Sequence, residues 1–153
     1  MGKKSKSKRR IRPLALCIFR RGEKILVARG YDKSSGETFC RPIGGKIEFG
    51  EPARQTVIRE VMEELGAQVT DTRYLGALEN IFVYEGKPGH EIMLIFDGRF
   101  QDESLNRDDV LLIGKDDGEV LYEASWQHLD DFRTGELPPL YPTGLLELID
   151  SCA

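Results

Sequence analysis

The sequence predicts a single α/β (α+β) domain in which a mixed β-sheet packs against helices. Strand-like apolar segments come first along the chain, and residues 52–65 then show the periodicity of a helix. Further strand-like segments precede a last helical segment. This order is typical of an α+β or mixed-sheet α/β domain. The length of 153 residues suits one domain with its own hydrophobic core.

The segments before the helix predict a hairpin and a short strand. They are, in order, a strand at 14–20, a turn at 21–24, a strand at 25–28, a surface loop at 30–37 and a short strand at 38–42. The first strand is a nearly continuous apolar run, which indicates burial. The loop is predicted from its polar, turn-forming residues.

One helix is predicted at residues 52–65. Pro52 suits the first helical turn, where its missing N–H costs nothing. Gly66 is at the usual position of a left-handed C-cap. Apolar residues at helical spacing form one stripe; they are Val57, Ile58, Val61, Met62 and Leu65.

The second half of the chain predicts three strand regions and a C-terminal helix. They are strands at 74–84 and 91–100 joined by a turn at 86–89, an acidic loop at 101–118 with an apolar run at 110–113, a strand region at 120–129, and a helix at 145–149 that begins near Pro142. The turn is predicted from the sequence Gly-Lys-Pro-Gly.

The net charge of −4 is unevenly distributed. Residues 1–12 contain seven Lys or Arg and no acid, which predicts a flexible basic tail, and 13–153 are predicted to form the domain. Residues 13–153 have a net charge of −11, which argues against nucleic acid as a partner. Contact of the tail with RNA or an anionic surface is the alternative.

The cysteines and the hydropathy bear on the compartment. Cys17, Cys40 and Cys152 are far apart and show neither zinc nor disulfide spacing, which predicts a reducing cytoplasm. No apolar stretch approaches the length of a membrane span, so we expect no membrane partner. A homodimer is compatible with the sequence, which leaves the oligomeric state open.

The polar side of the predicted helix is rich in carboxylates. Glu60, Glu63 and Glu64 fall within about 100° of one another around the helix axis, where like charges repel. Such hard oxygen ligands suit Mg²⁺ or Mn²⁺; for the helix alone, a solvated acidic face is the alternative. Gly44 and Gly45 allow tight turns and a close approach of the main chain to a ligand. Together these features favour a site for a metal and a diphosphate.

These residues reproduce the pattern of the Nudix box. Gly45, five residues, Glu51, seven residues and then Arg-Glu-Val-Met-Glu-Glu-Leu-Gly at 59–66 match every fixed position. Ala67 is smaller than the usual final apolar residue, which affects packing more than chemistry. The chain therefore resembles the Nudix hydrolases. The resemblance implies a Nudix-type α/β/α sandwich with a mixed sheet, and cleavage of a diphosphate linkage by metal-activated water.

The resemblance also implies a role for each box residue. Arg59 is expected to orient the glutamates, and Glu51 to support the loop and assist at the metal. Glu64 and Glu60 are alternatives for the catalytic base. Relatives sometimes take the base from a distant loop, for which Glu103 and Glu119 are candidates, with simple surface exposure as the favoured alternative. The expected ligands of Mg²⁺, with Mn²⁺ as a substitute, are Glu60, Glu63, Glu64 and the carbonyl of Gly45.

Residues outside the box suggest where the substrate binds. Arg29 and Arg41 flank the predicted site and suit bidentate bonds to phosphate, with surface charge balance as the alternative. Phe39 suits stacking on a base, as do Tyr31, Phe82 and Tyr84, but packing at the core or rim is the favoured alternative. For His90, a role in binding or proton transfer stands beside the favoured alternative of loop hydrogen bonding. Trp126 is expected in the core.

The sequence thus predicts a Mg²⁺-dependent Nudix pyrophosphohydrolase of a small nucleotide-like substrate, a nucleoside diphosphate linked to a group X. One alternative is a non-catalytic Nudix module that binds a nucleotide or a partner protein. The complete set of box glutamates argues against it. The other alternative is an RNA-end pyrophosphohydrolase that holds RNA through the tail, and the acidic domain argues against that.

Overall fold

The computed structural model describes residues 9–152, which form eight strands and three α-helices. The strands are β1 (Arg12–Arg21), β2 (Lys24–Asp32), β3 (Glu37–Arg41), β4 (Ile43–Lys46), β5 (Val69–Tyr84), β6 (Lys87–Phe100), β7 (Leu111–Asp116) and β8 (Glu119–His128). The helices are α1 (Ala53–Leu65), α2 (Leu129–Arg133) and α3 (Leu145–Ser151), and a 3₁₀ turn spans Glu103–Leu105.

The strands form a mixed sheet in the order β5-β6-β1-β2-β8-β7, with β3 paired to β2 and β4 paired to β1. β1 and β6 run parallel, and the other pairs are antiparallel. β1 joins the two halves of the sheet, because it pairs with β6 over most of its length, with β4 in its middle and with β2 at its last two residues. The predicted mixed sheet is confirmed.

Both faces of the sheet are covered by helices, which explains the apolar run of β1. Cys17 and Phe19 pack in one cluster with Val57 of α1. Leu16 and Ile18 pack on the other face, with residues of α2 and α3. A strand buried on both faces has no polar alternation. The layers therefore have the α/β/α order that the resemblance implied.

The helix α1 closely follows its predicted limits. Pro52 is its N-cap, and Gly66 ends it in the left-handed conformation with φ of 64°. Val57 and Val61, one turn apart, are fully buried. Met62 is 41% exposed, so its assignment to the apolar stripe is wrong, because the buried face of α1 is narrower than that stripe.

Several predicted boundaries are wrong because long-range pairing decided them. The loop predicted from residue 30 begins later, since β2 continues to Asp32 through pairing with β3. The turn predicted at 86–89 lies at Glu85 and Gly86, whose φ angles of 51° and 76° suit a two-residue hairpin turn. The apolar run predicted at 110–113 lies at the start of the longer strand β7.

The remaining differences concern the ends of elements. β5 begins at Val69 rather than at residue 74, and α2 begins at Leu129, which was predicted as strand. Residues 1–8 of the predicted tail lie outside the described residues. Arg12 belongs to β1, where it donates a hydrogen bond to the buried Glu91 at 2.7 Å. None of the helices within 9–152 has the length and hydropathy of a transmembrane segment.

Candidate active site

The two glycines before α1 bring its acidic face against β4. Gly44 pairs with Leu16 and Gly45 with Ala15 of β1, so the glycines lie in a strand, and their expected role in a tight turn is wrong. A Cβ atom on Gly45 would lie 2.4 Å from Cδ of Glu60. A Cβ atom on Gly44 would lie 2.1 Å from the carbonyl oxygen of Ala15. The missing side chain of Gly45 therefore lets the carboxylate of Glu60 lie directly on the backbone of β4.

Arg59 binds three carboxylates beside β4. Its Nε and Nη2 donate to the two oxygens of Glu51 at 2.7 and 2.9 Å. Its Nη1 donates to Glu60 at 2.9 Å and to Glu63 at 3.2 Å. The hydrogen bonds from Arg59 lower the pKa of Glu51 to about 2. This bidentate ion pair joins the loop before α1 to the helix; the catalytic roles expected of Arg59 and Glu51 stay predictions.

Glu64 lies beside Glu60 in a partly buried position next to Tyr122. The hydroxyl of Tyr122 donates to Oε2 of Glu64 at 2.5 Å, and the guanidinium of Arg41 lies 5.3 Å from the centre of the Tyr122 ring. Burial and the nearby charge of Glu60 raise the pKa of Glu64 to about 6, against the opposing effects of Tyr122 and Arg41. Glu60 and Glu64 are thus neighbouring carboxylates whose repulsion a cation would relieve.

The donor set fits a hard divalent cation. Glu63 is 59% exposed and shares Nη1 of Arg59 with Glu60. Within residues 9–152, no three His, Cys, Asp or Glu side chains already surround one common point. Mg²⁺ typically binds through one or two carboxylates, substrate phosphates and water. Glu60 and Glu64, with the partly buried backbone at Gly45, provide oxygen donors of that kind.

A cavity of about 670 Å³ opens beside Glu60, a volume within the range of small-molecule sites. Glu51, Glu60 and the loop between β4 and α1 line it. Phe49 belongs to this lining, and its side chain is fully exposed. Sequence reasoning did not select Phe49, although its position between Gly45 and Glu51 of the box was a usable signal.

The two expected phosphate-binding arginines lie on opposite faces of the sheet. Arg41 pairs with Ala28 and Arg29 pairs with Cys40, and adjacent residues of a strand point to opposite faces. Arg41 contacts the ring of Tyr122 and thus lies near Glu64. Arg29 is exposed on the other face, so the structure does not bring the two arginines together.

Phe39 and His90, which were candidates for substrate binding, contact other side chains of the protein. The ring of Phe39 lies over Gly30 and packs edge-on against Tyr84 and Tyr141, with ring centres 6.1 and 5.8 Å apart. This is the packing alternative expected for Phe39. Nε2 of His90 lies 2.9 Å from Oε2 of Glu79 on the β5–β6 hairpin, in keeping with the hydrogen-bonding alternative.

The residues considered as distant bases lie on the surface. Glu103 is exposed in the 3₁₀ turn, 3.7 Å from Arg99. Glu119 is exposed at the start of β8. Trp126 is buried, as expected, and its Nε1 donates to the carbonyl of Leu105 at 3.0 Å. Glu60 and Glu64 therefore remain the two candidates for the catalytic base.

The fold matches solved structures of Nudix proteins. A NUDIX hydrolase from Nitrosomonas europaea has a TM-score of 0.63 at 16% identity, over 94% of this chain and 88% of that one. A MutT NUDIX hydrolase from Burkholderia pseudomallei has a TM-score of 0.59 at 22% identity, over 91% and 96% of the two chains. At these identities the likeness shows the fold alone.

The sequence comparisons show the family. The model of the NUDIX domain matches residues 8–148, and the chain therefore belongs to the Nudix family. It is 31% identical over 134 residues to the NAD-capped RNA hydrolase NudC of Pectobacterium carotovorum subsp. carotovorum, covering 88% of this chain and 43% of that protein. The NudC of Actinobacillus succinogenes is also 31% identical, over 89% and 46% of the two chains. The chain spans less than half the length of these relatives.

Proposed function

We propose that this chain is a Mg²⁺-dependent pyrophosphohydrolase that cleaves the diphosphate linkage of a nucleoside diphosphate joined to a group X. The proposal depends on the position of Glu60, whose carboxylate lies on the backbone of Gly45 at the wall of the cavity. Glu64 lies beside it, and Arg59 orients it from the other side. Carboxylates gathered next to a substrate-sized cavity are the arrangement that a metal-assisted hydrolase requires.

The metal is expected to bind to Glu60, Glu63, Glu64 and the carbonyl of Gly45, with Mn²⁺ able to replace Mg²⁺. A bound divalent cation supplies neutralising charge to the diphosphate and makes water a stronger nucleophile. Glu63 reaches this position by releasing its exposed hydrogen bond to Arg59. Its release leaves the bidentate pair of Arg59 with Glu51 intact.

The side chains of this chain then move the proton and stabilise charge. Glu64 and Glu60 are the two candidates for accepting the proton of the attacking water. In Glu64, Tyr122 donates to Oε2, and we expect Oε1, which has no bond from Tyr122, to be the accepting atom. Arg41, next to Tyr122, places a permanent positive charge where a phosphate can receive two hydrogen bonds.

The cavity favours a substrate with a flat ring attached to its diphosphate. Phe49 offers a fully exposed aromatic face at the cavity that contains Glu60, and aromatic rings stack on bases without sequence preference. Phe39 remains a candidate for the same role from the Phe39–Tyr84–Tyr141 cluster. Of these rings, Phe49 is the more available, because Phe39 packs against its neighbours.

A second candidate function is hydrolysis of an RNA end, such as an NAD-capped one. The NudC relatives favour it, at 31% identity over 88% of this chain, and they weigh against the expectation that nucleic acid is not a partner. The basic residues 3–12 offer an RNA contact. A non-catalytic binding module remains the third candidate. We place the chain in the cytoplasm, because its three cysteines are free thiols.

A substrate panel with product analysis tests these functions. Nucleoside triphosphates, nucleotide sugars, dinucleotides, and capped and NAD-capped RNA are incubated with Mg²⁺ in ¹⁸O-labelled water, and the labelled product identifies the attacked phosphorus. Glu63→Gln and Glu64→Gln are expected to lower kcat at least about 100-fold, since the metal contributes several kcal/mol. Glu136→Gln, an exposed acid outside the site, is the matched control. Wild-type rates equal to those of Glu64→Gln across the panel would favour the binding module.

A further inference from the structure

We propose that Tyr122 is a positioning residue that fixes the carboxylate of Glu64 for hydrolysis, an inference that rests on the proposed function. The hydroxyl of Tyr122 donates to Oε2 of Glu64 at 2.5 Å. The two residues are 58 positions apart in the sequence, and the contact joins β8 to the acidic side of α1. Tyr122 is buried and its hydroxyl is bound to Glu64, so we expect it to act through Glu64 rather than on the substrate.

The ring of Tyr122 is held on both of its faces. On one side it lies flat on Gly114, its partner in β7, where a Cβ atom would be 2.2 Å from Cζ of the ring. On the other side lies the guanidinium of Arg41, 5.3 Å from the ring centre, at a distance typical of a cation–π contact. Only 4% of Tyr122 is exposed. A ring held in this way can direct its hydroxyl only towards α1.

The hydrogen bond from Tyr122 orients the carboxylate of Glu64. A buried tyrosine hydroxyl needs a partner, and Glu64 is the acceptor that Tyr122 has here. With Oε2 held by Tyr122, we expect Oε1 to face the metal or the attacking water. A glutamate has several rotamers of similar energy, so the bond from Tyr122 selects one of them before substrate binds.

Gly114 and Arg41 both keep the ring of Tyr122 in this position. Any side chain at Gly114 would collide with the ring atoms of Tyr122 and turn its hydroxyl away from Glu64. Arg41 covers the ring of Tyr122 with its guanidinium group. Residues that orient a metal ligand typically change metal affinity or activity by about 10–100-fold when they are replaced.

The test replaces the hydroxyl and keeps the ring. Tyr122→Phe is expected to lower kcat about 10–100-fold, to leave KM within about twofold, and to weaken Mn²⁺ binding about tenfold in an EPR titration without substrate. Gly114→Ala, which displaces the ring, is expected to have the same two effects. Tyr74→Phe is the matched control, because Tyr74 is an exposed tyrosine of β5 outside the site. Its kcat and Mn²⁺ affinity should equal those of the wild type.

The outcomes separate this inference from the proposed function. An active wild type together with an unchanged kcat and an unchanged Mn²⁺ affinity in Tyr122→Phe would overturn the positioning role. A wild type that binds Mn²⁺ but hydrolyses nothing in the panel would overturn the proposed function instead. In that case the Mn²⁺ titration still decides the role of Tyr122, since weaker binding in Tyr122→Phe supports it and equal binding refutes it.

Discussion

Replacing Gly45 by alanine should remove activity while leaving the fold intact. The new Cβ atom would lie 2.4 Å from Cδ of Glu60, whereas ordinary contact begins at 3.4 Å. The carboxylate of Glu60 must therefore retreat by about 1 Å, and a displacement of that size can cost about 100-fold in rate. We expect kcat to fall about 100-fold in Gly45→Ala.

The stability of Gly45→Ala should change little. Glu60 has a flexible side chain that can move aside. Gly45 is not one of the described glycines with a positive φ angle, so alanine fits its backbone conformation. Alanine in a strand is more stable than glycine by about 0.5–1 kcal/mol in the free energy of unfolding, which offsets the cost of moving Glu60. We therefore expect the melting temperature to change by no more than about 4 °C. Gly44→Ala is the matched comparison, because its Cβ atom would meet the backbone of Ala15 at 2.1 Å. Overpacking of that kind costs about 1–3 kcal/mol.

The assay is steady-state hydrolysis of the best substrate from the panel, with melting curves for both variants. The expected result is a folded, inactive Gly45→Ala and a Gly44→Ala that melts several degrees lower. A Gly45→Ala enzyme with the kcat of the wild type would refute the claim that Glu60 must lie on β4. Equal melting temperatures for the two variants would refute the distinction between side-chain and backbone collisions.

Two further predictions concern the pH dependence of folding without metal. The pKa of Glu51 falls from 4.5 to about 2 in the folded chain, so the stability it provides is present above pH 4.5 and is lost as the pH falls towards 2. The melting temperature of Arg59→Gln should therefore fall less than that of the wild type between pH 4.5 and pH 2. An equal fall in both proteins would contradict this. The pKa of Glu64 rises from 4.5 to about 6, so stability is lost as the pH rises through 6. Glu64→Gln can still accept the hydrogen bond from Tyr122. In EDTA at pH 7 it should melt at a higher temperature than the wild type, and the difference should shrink near pH 4.5. A melting temperature below that of the wild type at pH 7 would exclude this account.

Local sequence was enough to predict α1 and the acid-rich side of the site. The limits of α1 follow from apolar spacing and from Gly66, whose left-handed conformation ends the helix. Glu60, Glu63 and Glu64 share one side of the helix because helical geometry alone places them there. Such features depend on residues within one or two turns of each other, and the sequence contains that information directly.

Contacts between distant segments required the tertiary structure. Gly44 and Gly45 were expected in a turn, and pairing with β1 makes them part of a strand. Arg29 and Arg41 were expected at one site. The register of β2 with β3 instead places their side chains on opposite faces of the sheet. Tyr122 gave no local signal at all, because nothing near it in sequence indicates a partner on α1.

The sequence by itself therefore determined the family pattern, the helix and the chemistry of its carboxylates. The tertiary structure decided the surroundings of each carboxylate, with Glu60 on Gly45, Glu63 exposed to solvent and Glu64 under Tyr122. The physical reason is that helical periodicity is set by neighbouring residues, whereas strand register and ring packing are set by contacts between segments far apart in the chain.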